Sequence, residues 1–141
     1  AETKGPHALF GRSLGGAVAV QLASSGHAQP CAVIIENTFT CGRDIAAALM
    51  PIPGLGVVLP DFFPNLDRVR ASEAPILVVH SQEDEIIPFA HGEALFAAAG
   101  ETKEFYALSG AHHNDAYVVG GEPYVARLRS FARRHCGGSA T

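Results

Sequence analysis

The hexapeptide Gly11-Arg12-Ser13-Leu14-Gly15-Gly16 constrains this chain more than any other stretch, because of what flanks it. The residues before it, His7-Ala8-Leu9-Phe10, read as a strand. After it, Leu14, Ala17, Val18 and Leu22 recur at helical spacing until Gly26 supplies a stop. Strand, tight turn and helix in that order, with G-x-S-x-G at the turn, is the pattern of a nucleophile elbow. Small residues two before and two after the serine let strand and helix pass closely, while strain at the serine exposes its hydroxyl. Ser13 is expected at the N-cap of the helix or just ahead of it. The Leu14 amide and the helix dipole would then point to where an oxyanion forms. A glycine-rich strand-to-helix turn that cradles a phosphate is the competing reading. A dinucleotide site fits less well, the spacing being G-x-x-x-G-G rather than G-x-G-x-x-G.

A length of 141 residues suits one domain with a real core. The 14 acidic against 10 basic residues argue against a nucleic-acid partner, and the basic cluster Arg127, Arg129, Arg133 and Arg134 reads as the solvated face of a last helix. No stretch approaches the roughly 18 apolar residues of a membrane span, and Ala1 to Gly5 does not read as a signal peptide. Three cysteines, Cys31, Cys41 and Cys136, are an odd number without C-x-x-C spacing, so free thiols are expected rather than a disulfide framework or a zinc site.

The chain reads as strand His7–Gly11, helix Leu14–Ser25 and strand Ala32–Glu36, the last an unbroken apolar run of the kind parallel sheets bury on both faces. Phe39 to Ala74 is rich in Pro and Gly, with one helical piece at Asp44–Leu49, and reads as a lid-like insertion. Strand Ile76–His80, helix Phe89–Ala99, strand Glu104–Leu108, a loop through Tyr117 and a helix around Glu122–His135 follow. The expectation is an α/β fold of about four parallel strands with flanking helices over residues 1–136, a lid-like insertion at about 41–74, and a flexible tail at 137–141.

A serine hydroxyl becomes a useful nucleophile when a histidine takes its proton and a carboxylate holds that histidine in place. The order Ser, acid, His is available here, on loops at the carboxyl ends of successive strands, where open α/β sheets place their sites. The loop Ser81 to Pro88 offers Glu83, Asp84 and Glu85. The loop Ser109 to Asp115 offers His112 and His113. Paired histidines beside Asp115 could also form a weak metal site, although no third ligand stands at helical spacing.

Four segments carry a family resemblance: G-R-S-L-G-G-A-V-A at the elbow, E-N-T-F at Glu36–Phe39, D-x-x-I-P at Asp84–Pro88 and H-N-D at His113–Asp115. Together they resemble serine α/β-hydrolases and look closest to the thirteen-like branch of the abhydrolase-domain proteins, over about Pro6 to Phe131. The resemblance implies Ser13 as nucleophile, Asp84 as acid, His113 as base and the Leu14 amide as one oxyanion donor, with no metal or cofactor. His112, an extra imidazole before the expected one, is the alternative base. Ser81 stands where that family often has glycine. Asp115 and Asn114 are expected to cap the next helix or fix the loop. Arg12 is expected to pair structurally, and His7, His27, His80, His91 and His135 to lie at the surface or at strand ends.

The family places four strands, two helices and a second oxyanion donor ahead of the elbow, so the resemblance implies the C-terminal half of a hydrolase. The elbow strand would then be an open edge, prone to self-association or to pairing with an N-terminal half. The function implied is hydrolysis of a carboxylic ester or thioester through an acyl-enzyme. Apolar side chains between Ile45 and Phe63 would suit lipid or acyl-protein substrates. A non-catalytic fragment and an amidase or peptidase on the same triad are the alternatives.

Overall fold

A computed structural model describes residues 5–50 and 52–137. Its elements run β1 (Ala8–Arg12), α1 (Leu14–Ser24), β2 (Ala32–Glu36), α2 (Gly42–Leu49), α3 (Leu55–Val58), α4 (Asn65–Ala71), β3 (Ile76–Ser81), α5 (Phe89–Ala98), β4 (Lys103–Leu108) and α6 (Ala116–Cys136). The strands form one parallel sheet in the order β1-β2-β3-β4. This is the expected fold class.

Alternation along the two central strands explains how both faces are covered. Val33 and Ile35 of β2 and Ile76 and Val78 of β3 pack with Ala19 and Val20 of α1, Val69 of α4 and Leu95 of α5. Their neighbours Ala32, Ile34, Leu77 and Val79 point to the opposite face, against Tyr124 and Phe131 of α6. Every residue of β2 and β3 is buried, which is why these strands read as unbroken apolar runs.

Three features differ from the sequence expectations. Helix α4 lies inside the stretch read as irregular between Phe39 and Ala74. Its apolar contribution is one narrow stripe, Leu66 and Val69, and prolines on both sides masked the period. Helix α6 begins at Ala116 rather than near Glu122. Gly121, at φ 54° and ψ −145°, kinks it ahead of Pro123, so Gly-Gly-Glu-Pro separates two helical pieces instead of opening one. The third is a disulfide between Cys31 and Cys136, Cα atoms 5.1 Å apart, which joins the entrance of β2 to the end of α6. The free-thiol expectation holds for Cys41 alone. An odd count and a separation of 105 residues say nothing about which ends meet in space. Of the expected tail at 137–141, residues 138–141 lie outside the described residues, as do residues 1–4.

Among the described residues, strand β1 pairs on one side only, with β2. Phe10 is 53% exposed, and Leu14, Val18 and Leu22 of α1 are also exposed. An apolar groove of about 330 Å³ beside this edge is lined by Phe10, Tyr117, Tyr124, Val125, Leu128 and Arg129. No helix among the described residues is long and apolar enough to cross a membrane.

Candidate active site

The turn between β1 and α1 places Ser13 at φ 53° and ψ −121°, as the N-cap of α1. This is strained backbone for a residue with a Cβ. Backbone bonds hold it: the Ser13 N–H donates to Glu36 O at 2.8 Å, and Gly16 N–H donates to Ser13 O at 3.0 Å. Thr38 Oγ1–H faces both Ser13 O, at 3.1 Å, and Glu36 O, at 3.2 Å. Leu14 opens the helix, so its N–H is among the amides that an α-helix leaves without an internal acceptor.

Gly11 is where the strand and helix pass. A Cβ there would lie 2.2 Å from Gly15 O. At the other end of the motif the tight position is Gly16, whose Cβ would lie 1.8 Å from Thr38 Oγ1, whereas a Cβ on Gly15 meets nothing within 4 Å. The motif's second glycine is thus one place later than the G-x-S-x-G pattern suggests.

Asp84 lies in the turn after β3, its side chain fully enclosed. Its Oδ1 accepts from the N–H groups of Ile86 (2.9 Å) and Ile87 (2.7 Å), and His113 Nδ1–H donates to Oδ2 at 2.8 Å. With Nδ1 carrying the proton, Nε2 is left as an acceptor, and Ser13 Oγ–H lies 3.2 Å from it. Ser13, His113 and Asp84 come from three separate loops, and the fold brings them into one hydrogen-bonded line.

His112 points elsewhere. Its side chain is exposed, with Nδ1 3.4 Å from Glu85 Oε2, while its N–H donates to Asp115 Oδ1 at 2.6 Å. Asp115 is the N-cap of α6 by position but makes no side-chain cap bond there, so it fixes the loop instead. Glu85 also accepts from the His113 N–H at 3.1 Å; its own N–H first, and this bond second, hold its carboxyl below the ordinary range.

The sequence places His80 at the surface or a strand end. It sits near the end of β3 but is wholly buried, its Nε2–H donating to Ile87 O at 2.9 Å, with Asp84 Oδ2 3.7 Å away. Burial pushes its pKa down, opposed in part by the bond to Ile87 O and by Asp84. His91 is half-buried, bonded to Thr40 and also shifted down by burial. The strand-end expectation fits His80, whereas neither it nor half-buried His91 lies at the surface; His80 Nε2 is bonded to Ile87 O, and its Nδ1 has no hydrogen-bond partner among the described residues.

Behind the elbow, Arg12 donates to Asn114 Oδ1, and its Nε lies 4.0 Å from Glu36 Oε1. The residue before Ser13 is thereby tied to the residue after His113. Glu36 is buried and accepts from the Tyr124 hydroxyl. Burial raises the pKa of both groups, and the bond from Tyr124 partly offsets the rise at Glu36. The sequence assigned no role to Glu36, Asn37, Thr38 or Tyr124. A polar run that closes and follows a buried strand, Glu36-Asn37-Thr38, is the signal that could have marked the first three. No cluster of three or more His, Cys, Asp or Glu side chains suited to a metal ion occurs among the described residues.

An enclosed carboxylate, an imidazole fixed by it and a hydroxyl at a helix N-terminus are the groups that a nucleophilic acyl transfer requires. No protein-family description matches the chain. It is 36% identical over 124 residues to an uncharacterized protein of Mycobacterium tuberculosis, covering 88% of this chain and 43% of that relative. It is 34% identical over 123 residues to the alpha/beta hydrolase domain-containing protein 17B of Homo sapiens, covering 87% of this chain and 40% of the relative. The crystal structure of the esterase domain of a Rhodothermus marinus protein superposes with a TM-score of 0.63 at 29% identity, covering 90% of this chain and 61% of that one. The chain spans about two fifths of the length of these curated relatives. These likenesses support the α/β-hydrolase superfamily.

Proposed function

As a chain of the α/β-hydrolase superfamily, this protein carries machinery that we propose makes it a serine hydrolase of carboxylic esters or thioesters. The observation that carries the reading is the line Asp84 Oδ2, His113 Nδ1, His113 Nε2, Ser13 Oγ, with steps of 2.8 and 3.2 Å across a ring whose orientation both ends determine. Ser13 Oγ attacks the acyl carbon as its proton passes to His113 Nε2. The oxyanion is met by the Leu14 N–H and the positive end of α1. Collapse expels the alkoxide or thiolate, which takes the proton back from Nε2. Water, deprotonated by the same nitrogen, then releases the acid and restores Ser13. Asp84 keeps Nδ1–H in place throughout.

Apolar side chains pack beside the site. Ala17, Phe39 and Ile87, with Ile45, Phe63 and Ile86 against them, cluster between the helix that follows Ser13 and the turn that holds Asp84. Leu49, Met50, Ile52, Val57, Val58 and Phe62 are exposed on the adjoining segment, which favours lipid or acyl-protein substrates. A short acyl nitrophenyl ester, the matching thioester and the matching anilide, each offered to the chain and to Ser13→Ala, test the reading. Ester and thioester turnover that disappears in the variant supports it. Preferential anilide cleavage would make it an amidase, and turnover unchanged in Ser13→Ala would refute it.

A second reading, a chain that works only with a partner segment, is favoured by the open edge of β1. One-sided pairing and flanking apolar side chains invite another strand. Sizing at rising concentration tests this edge: association is expected, and a strictly monomeric chain with fast ester turnover would exclude the reading.

A further inference from the structure

We propose that Asn37 is a positioning residue for His113, locking the backbone of the base-bearing loop to the ends of the two central strands. The inference rests on the reading of Ser13 and His113 as nucleophile and base. Asn37 follows β2, is fully buried and takes φ 48°, a left-handed conformation that asparagine tolerates better than most residues with a Cβ. Its N–H donates to Val79 O at 3.0 Å, which continues the sheet past the end of the strand.

The side-chain amide uses both of its ends. Ser81 N–H can only donate, so Oδ1 faces it, at 2.8 Å. His113 O can only accept, so Nδ2 faces it, at 3.0 Å, and the second Nδ2 hydrogen points to Ser81 Oγ at 3.2 Å. Ser81 O in turn accepts from the Asp84 N–H at 3.3 Å. One planar amide therefore joins the start of the acid's turn to the main chain of the base. The His113 ring is held by Asp84 at Nδ1, but its Cα is held by this bond and by the N–H bond to the exposed Glu85. Of the two, the enclosed bond from Asn37 is the one that water cannot replace.

Two substitutions separate this role from general stability. Asn37→Gly accepts the positive φ and removes the amide. Asn37→Asp keeps the shape but sets an acceptor against the His113 carbonyl, which cannot donate. In each, the rate of labelling by a fluorophosphonate and kcat for a short ester should fall by about tenfold to a hundredfold, the cost of a small misplacement of a reacting group, with KM little changed. A purely structural residue would not alter the low-field proton resonance of His113 Nδ1–H, whereas here that signal should broaden through exchange while the amide spectrum of the sheet persists. Wild-type labelling and an unaltered Nδ1–H resonance in a folded Asn37→Gly chain would overturn the proposal. Should neither variant fold, hydrogen exchange of the wild-type chain still decides. The Asn37 side-chain amide should be protected from solvent, and rapid exchange would count against it. Undiminished labelling of Ser13→Ala would instead remove the parent reading, so the two failures are told apart.

Discussion

Adding one methyl group at Gly11, Gly15 and Gly16 in turn discriminates sharply between an elbow that must be tight and one that merely contains small residues. At Gly11 the new carbon would sit 2.2 Å from Gly15 O, 2.5 Å from Gly15 C and 2.7 Å from Gly16 N. All three are backbone atoms of the first turn of α1, so relief requires moving the helix away from β1. Overpacking of this kind costs about 1–3 kcal/mol. At Gly16 the carbon would meet Thr38 Oγ1, Cβ and Cγ2 at 1.8, 2.8 and 2.9 Å. Rotating the threonine cannot clear all three, and its hydroxyl would leave Ser13 O and Glu36 O, adding about 1 kcal/mol for a lost hydrogen bond. Gly15 is exposed, meets nothing within 4 Å and lies in the first turn of a helix, so alanine there should stabilise by about 0.5–1 kcal/mol through helix propensity. Urea unfolding of dilute chain, followed by circular dichroism, gives the three differences, and fluorophosphonate labelling rates give the state of Ser13. The expected order of stability is Gly15→Ala above wild type, then Gly11→Ala and Gly16→Ala well below, with labelling lost in step. If Gly15→Ala were as damaging as Gly11→Ala, or Gly11→Ala were neutral, the elbow geometry described here would be wrong.

His113→Ala should lower ester turnover by about 10²–10⁴-fold, the range for a positioned general base, and His112→Ala far less; the reverse ranking in a steady-state assay would transfer the role to the exposed imidazole. Stability should decline as pH falls below the ordinary histidine value of 6.5, because burial lowers the folded pKa of His80 and His91 and the unfolded chain then binds more protons. Glu36, raised by burial, has the opposite slope above its ordinary 4.5. His80→Gln, which keeps a donor near Ile87 O, should therefore flatten the acid limb in urea titrations, and an unchanged limb would discount His80. Reduction of Cys31–Cys136 frees a separation of 105 residues and should cost up to about 4.7 kcal/mol on a chain-entropy estimate, read as a drop in unfolding midpoint with reductant that a Cys31→Ser, Cys136→Ser variant no longer shows.

The parts legible from sequence were those written in local periodicity. The run Ala32 to Glu36 read as a strand buried on both faces, Ile76 to His80 read as a strand, and Gly11 to Gly16 between a strand and a helical stripe read as a close turn. What escaped depends on contacts between distant segments. Gly15 and Gly16 are alike as letters, and which is tight is decided by Thr38, more than twenty residues on. The joining of Cys31 to Cys136, the burial of His80 and the amide bonds of Asn37 likewise exist only once β2, β3 and α6 are side by side. Choosing among three carboxylates and two imidazoles was beyond periodicity too. In the fold, Asp84 is the carboxylate whose side chain meets two turn amides and an imidazole, and His113 is the imidazole that faces it.

The central claim is that Ser13 Oγ is the nucleophile in acyl transfer, activated by His113. Incubating the chain with a fluorophosphonate, then measuring intact mass and mapping the modified peptide, tests it most directly. The account expects one adduct per chain, located on Ser13, formed more slowly after His113→Ala and absent after Ser13→Ala. An adduct on another residue, or one that survives Ser13→Ala, would contradict it.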